Sequence, residues 1–101
     1  MELKELKIAF LKSNWPNTEK LLAEIVQLPF DSSKEIFFEG LKARQHGIRT
    51  ASIKGLVSYK KEEVADIIRP FLADPSYETR MEAKTAIKEL TGEDVKTSRG
   101  E

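Results

Sequence analysis

Ile48-Arg49-Thr50-Ala51-Ser52-Ile53-Lys54-Gly55-Leu56-Val57-Ser58-Tyr59 returns 31 residues later as Thr79-Arg80-Met81-Glu82-Ala83-Lys84-Thr85-Ala86-Ile87-Lys88-Glu89-Leu90. Arg49 falls on Arg80, Ser52 on Ala83, Gly55 on Ala86, Leu56 on Ile87 and Tyr59 on Leu90. One step earlier the same columns hold Asn17-Thr18, Leu21, Glu24-Ile25 and Leu28. A second run keeps the same offset: Ile67, Ile68, Phe71 and Leu72 align with Ile36, Phe37, Gly40 and Leu41, then with Glu5, Leu6, Ala9 and Phe10. A fixed period of this kind marks stacked units, each burying its apolar face against its neighbours. The pattern predicts an all-α fold: a right-handed α-solenoid of three stacked helical hairpins. The units span about 1–31, 32–62 and 63–92 of a single domain, 1–92, and the polar stretch 93–101 is expected to be a disordered tail.

Punctuation divides the repeat into six helices. The first is expected from about Glu2 to Ser13, ended by Asn14-Trp15-Pro16-Asn17 because proline drives the residue before it out of helical geometry. Asn17 or Thr18 should cap the second, which runs to Leu28 before Pro29. Asp31, Ser32 and Ser33 are candidate caps for the third. His46-Gly47 should close that helix, with Gly47 in a left-handed turn and His46 favourable against the C-terminal dipole. The fourth is expected over Ile48–Tyr59 and the fifth over Lys61–Ala73, kinked at Pro70, which lacks an amide donor. Asp74-Pro75-Ser76 turns the chain into the sixth, which Thr91-Gly92 stops.

Composition narrows the function classes. Lys plus Arg (17) balances Asp plus Glu (17), so the chain lacks the basic surplus that drives counterion release on nucleic acid. No cysteine is present, which leaves neither disulfides nor a Cys/His metal site around the single histidine, His46. No apolar run approaches the roughly 18 residues that span a membrane, and the mixed-charge start, Met1-Glu2-Leu3-Lys4-Glu5, is unlike a secretion signal. A cytoplasmic location is therefore expected. Serines and aspartates lack the spacing of a nucleophile elbow, and the five glycines form no phosphate-cradling loop. Glu62-Glu63, Glu35 with Glu39, and Glu82 with Glu89 read as solvated helix faces rather than acid–base pairs. The reading is non-enzymatic, with no cofactor and no metal.

The columns carry a resemblance. Ile48-Arg49-x-x-Ser52-x-x-Gly55-Leu56, and Asp74-Pro75 followed by Arg80-x-x-Ala83-x-x-Ala86-Ile87, resemble the HEAT-repeat family. That family's pattern is an Asp-Pro turn, an Arg opening the second helix, and small residues three apart beside a branched apolar one. Ala43-Arg44 replaces the Asp-Pro in the second unit, and Thr18 and Glu24 replace the Arg and the small residue in the first. The period is shorter than the usual HEAT length of about 40 residues, and is similar to the compact variant in bacterial phycobilisome-lyase-type proteins. The resemblance implies that the second helices line a concave binding face. It also places Arg49, Arg80 and Asp74 as structural ties between units, the guanidinium bonding carboxylates or carbonyls of the adjoining unit.

At 100° per residue Thr50, Lys54 and Val57 share a face opposite the packing columns, and stacking sets Met81, Thr85 and Lys88 on one side of them and Glu19, Ala23 and Val26 on the other. The partner-binding strip is expected at Val26, Thr50, Lys54, Val57, Met81, Thr85 and Lys88, taking a protein or peptide. Phe38, in the column of Lys7 and Arg69, is a second expected contact; Trp15 and Phe30 are expected to pack within their loops. The main expectation is thus a protein–protein interaction module or scaffold. An alternative is a nucleic-acid-binding domain using Lys54, Lys84, Lys88, Arg49 and Arg80. A weaker one, from the resemblance alone, is a lyase or lyase-chaperone accessory. End-to-end stacking into a homo-oligomer is a further expectation.

Overall fold

Apolar residues recurring every three or four positions, broken at Pro16, Pro29, Ala43-Arg44, Tyr59-Lys60 and Asp74-Pro75, produce six helices and no strand. The computed structural model describes all residues, 1–101. Its helices are α1 (Leu3–Leu11), α2 (Asn17–Ile25), α3 (Phe30–Gly40), α4 (His46–Val57), α5 (Val64–Ile68) and α6 (Tyr77–Thr91). A 3₁₀ stretch, Arg69–Ala73, continues α5. None of them is long and apolar enough to cross a membrane.

The packing centres on α4. It touches α2, α3, α5 and α6, while α1 packs on α2 and α3, and α5 with its 3₁₀ extension packs on α6. Its sequence accounts for this: Ile48, Thr50, Ala51, Ser52, Ile53, Gly55, Leu56 and Val57 are all buried. A helix lined with small and apolar residues on nearly every side has to be surrounded. Leu56, Ile87 and Ile25, one column in the repeat, are fully buried.

Two close approaches set the distance between α3 and α4. A methyl group on Gly55 would fall 2.3–2.7 Å from ring atoms of Phe37, and one on Gly40 would overlap Ser52 Oγ. Phe37 packs against the bare backbone of α4 at Gly55 and meets Phe10 edge-on at 5.9 Å. These two rings, both fully buried, join α1, α3 and α4 into one core.

Several boundaries differ from the sequence expectation. Helix α3 stops at Gly40, and His46-Gly47 opens α4 rather than closing α3. Gly47 therefore does not adopt a left-handed turn, and the exposed His46 lies at the end of the helix dipole where positive charge is disfavoured. The expected caps are used otherwise, for α2 and α3 begin after Pro16 and Pro29 without side-chain caps. Thr18 instead meets the Ser13 hydroxyl at 2.6 Å. Ser33 meets the Tyr59 hydroxyl at 2.7 Å, and that hydroxyl donates to the Leu28 carbonyl at 2.8 Å. The kink expected at Pro70 is a change of helix type: without its amide hydrogen the α ladder stops at Ile68 and the chain tightens to 3₁₀.

Residues 93–101 are not the disordered tail expected from their polarity. They return along α6 and the 3₁₀ stretch, with the Ser98 amide donating to the Leu72 carbonyl at 2.9 Å. Val95 packs on the core and Thr97 is buried.

Replacing helical glycine by alanine ordinarily stabilises by up to ~1 kcal/mol. Gly47, with nothing near its missing side chain, should follow that rule. At Gly55 the Phe37 ring should reverse the sign, giving a net loss of about 1–2 kcal/mol from overpacking. Urea unfolding of Gly47→Ala and Gly55→Ala checks this; a Gly55→Ala midpoint at or above that of the unaltered protein would show that the ring is free to move aside.

Candidate functional site

Arg49 and Arg80 each occupy the fourth position of their helix, close enough to the preceding turn for the guanidinium to fold back over it. Arg49 Nη1 donates to the carbonyls of Ala43 (3.0 Å) and Arg44 (2.7 Å). Arg80 Nη1 does the same to Asp74 (2.9 Å) and Pro75 (3.1 Å). The other edge of each fork takes a carboxylate in two bonds. Arg49 Nε and Nη2 reach the two oxygens of Asp74, both at 2.9 Å; Arg80 Nε and Nη2 reach those of Glu101 at 2.8 and 3.2 Å. Asp74 is shared, since its carboxylate serves Arg49, its carbonyl serves Arg80, and Oδ1 also accepts the Ser76 amide at 2.9 Å. The result is one chain of contacts, Arg49–Asp74–Arg80–Glu101.

Burial pushes the Asp74 carboxyl upward, yet the Arg49 fork, the Ser76 amide and the charge of Arg80 outweigh it and leave the group below its ordinary range. The Arg80 fork, helped by the Thr97 hydroxyl, lowers Glu101 to about 2. Both forks are thus filled by carboxylates of the chain itself.

The strip predicted along the second helices is divided. Thr50 is buried and shares a hydrogen bond with Thr79 at 2.9 Å, and Val57 is buried against its neighbours. Little of either side chain reaches solvent, because α6 packs closely on α4, although Thr50 still borders the cleft that Lys54 lines. Lys54 is exposed beside Glu19, 3.8 Å away, and these two line a polar cleft of about 360 Å³ with Trp15, His46 and Glu78. Val26 is half-buried on the core. Met81, Thr85 and Lys88 do come together: with Lys84, Glu93, Asp94 and Val95 they line a groove of about 360 Å³ between α6 and the returning segment. Phe38 is half-buried rather than turned to water, and with Leu41, Lys42, Ile67 and Phe71 it lines a separate shallow apolar groove on the α3/α5 side.

Two features escape the sequence reading. Trp15 is 80% exposed instead of packed in its loop, whereas Phe30 does pack, edge-on to Tyr59 at 5.2 Å with Lys61 over its ring. The Glu82 carboxyl, on the same side as Lys54 and Glu19, is held above its usual range by burial and by the nearby Glu89 and Glu19 charges, against the pull of Lys54. The spacing of Glu82 and Glu89 is visible in the sequence; the half-burial that distinguishes Glu82 is not. No group of three or more His, Cys, Asp or Glu side chains gathers as a metal site would require.

Compared with protein families, with characterised proteins and with solved structures, the chain matches none. The likeness to HEAT repeats therefore rests on its own columns, and its chemistry on the contacts above. Of the five cations suited to phosphate, Arg49 and Arg80 are held by Asp74 and Glu101, while Lys54 pairs with Glu19 and Lys88 with Asp94.

Asp74→Asn should remove the charge from a pair whose side chains are 14% and 5% exposed, at a cost of about 1.5–3 kcal/mol, since the amide oxygen still accepts one arm of the fork and Arg49 keeps its two carbonyls. Because the native carboxyl titrates below its unfolded value of 3.8, its contribution is complete above about pH 4 and fades as acid brings the pH down through the native value. Thermal melts between pH 7 and pH 2 should accordingly show a shallower acid loss in Asp74→Asn. Parallel curves for the two proteins would contradict this role.

Proposed function

We propose that the chain is a non-catalytic, cytoplasmic protein-interaction module: three helical hairpins stacked as a right-handed, HEAT-like solenoid that holds a peptide or helix against its second helices. Three features support the stacking: the columns at offset 31, the repeated arginine forks, and the packing of α4 between α2 and α6.

The observation that carries the binding reading is the groove along α6. Met81 and Val95 are its apolar members and Lys84, Lys88, Glu93 and Asp94 its charged ones, with Lys88 and Asp94 paired at 3.1 Å. Apolar anchoring between charges of both signs suits a peptide with one or two apolar side chains flanked by mixed charge. It suits a phosphate backbone poorly, because the arginines that would bind phosphate are buried in ion pairs.

Thr85 and Lys88 are exposed and outside the core, so Thr85→Arg and Lys88→Glu should leave stability within about 0.5 kcal/mol of the original. A photo-crosslinker placed at Thr85 should capture the bound segment, and calorimetry with that segment should show each variant binding at least about tenfold more weakly, a loss of ~1.4 kcal/mol. Unchanged affinity in both variants would remove the groove as the binding site.

A further inference from the structure

Arg49 and Arg80 make the same local bonds but draw their carboxylates from different kinds of structure. Arg49 takes Asp74 from the turn that opens the next helix. Arg80 takes Glu101 from a segment with no regular structure, which reaches the fork by a different backbone route. Within that segment Thr97 hydrogen-bonds the Glu101 carboxylate and accepts the amides of Arg99 and Glu101 at 3.3 and 3.2 Å. Gly100 supplies the left-handed turn, φ +81°. Five residues thus form a small loop whose product is one carboxylate presented to a buried guanidinium that is 3% exposed.

The rest of the segment is held by one apolar contact, Val95 on the core, and by exposed ion pairs. Glu93 pairs with Arg69, and Asp94 with Lys88, through side chains that are 35–85% exposed, the class of ion pair that contributes little. The Ser98–Leu72 bond is its one backbone link to the helices. From these observations we infer that Arg80 and the Leu72 carbonyl form a docking socket for an acidic turn. Residues 93–101 fill it in cis, and another protein presenting a threonine followed four residues on by a glutamate can fill it in trans. A second copy of this chain stacked end to end is a poor occupant, because the position equivalent to Asp74 in the first unit is Lys12, which would set a cation against Arg80. The socket lies at the turn before α6 and is built without the groove proposed above, although the segment that fills it in cis also lines that groove.

The test uses the full chain with Glu101→Gln, which empties the fork of charge, and a fluorescent peptide of sequence Glu93–Glu101. Hydrogen exchange at the Ser98 amide should accelerate in the variant. The peptide should bind the variant at least about tenfold more tightly than the unaltered protein, whose tethered segment competes at an effective concentration on the order of millimolar. A peptide ending in Gln should bind neither. Equal binding to both proteins, no binding to the variant at ~1 mM, or unchanged exchange at Ser98 would overturn the inference. So would loss of the helical fold in Glu101→Gln, which would make the segment an integral part of the core. A variant that dimerises in light scattering as the peptide fails to bind would overturn the assignment of the occupant.

Discussion

A buried guanidinium is among the most demanding groups a small protein can contain. It is always charged, it has five donors in a fixed plane, and a donor left without a partner costs the full desolvation of that group. Arg49 and Arg80 meet this demand in one way, with one edge on two carbonyls of the preceding turn and the other on a carboxylate. No buried side-chain nitrogen or oxygen in the protein lacks a partner. Because the fork is planar, meeting it fixes the turn before the helix, the start of the helix and the approach of the carboxylate together. Much of the geometry on this edge of the molecule follows from two side chains.

The opposite constraint acts in the interior, where nothing is charged and distance decides. Gly40 and Gly55 place α3 and α4 so close that a single methyl group would strike Ser52 or Phe37. That proximity lets Phe37 occupy the space a side chain would otherwise fill, and lets it reach Phe10 on α1. In the next unit Ala86 stands where Gly55 does, and Phe71 where Gly40 does. The approach of α5 to α6 is built differently there: Pro70 shortens the α-helix and leaves Phe71, Ile67 and Phe38 around an open groove. The repeat thus keeps the apolar column Ile25, Leu56 and Ile87 in all three units, keeps the arginine in two of them, and varies at the close approaches between paired helices.

How much of this the sequence discloses depends on which interaction sets each feature. Six helices and the burial of Leu56, Ile87 and Ile25 follow from periodicity and column identity, which are properties of the chain itself. The expected bond from Arg to an adjoining unit is made by Arg49 to Asp74, whereas Arg80 turns to Glu101. The misplacement of His46-Gly47 has a definite cause. Glycine is read as a stop because it adopts left-handed turns cheaply, but nothing local to the sequence distinguishes that use from a small residue in the first turn of a helix. Thr50 and Val57 are misjudged for another reason. Helical geometry gives the face on which a residue lies, and only the packing of α6 shows that this face is covered. The order of residues 93–101 was the least legible of all. Their composition is that of a disordered segment, and their fixed position depends on a guanidinium that the repeat leaves without an acidic partner at its usual place.

That last dependence links the two ends of the molecule's surface chemistry. Glu93, Asp94 and Val95 form one wall of the groove on α6, and Glu101 closes the fork of Arg80 at the other end of the same segment. The wall itself is held by the packing of Val95 and by exposed ion pairs that contribute little, whereas the fork is anchored on a buried charge. The groove is therefore shaped by a contact made six residues beyond its edge at Val95. A nine-residue stretch held firmly at its far end is ordered by a closed loop. The identity of the residue at 101 should matter more to the shape of the groove than the number of residues between, because the fork reads a carboxylate in a plane and the intervening chain supplies only reach.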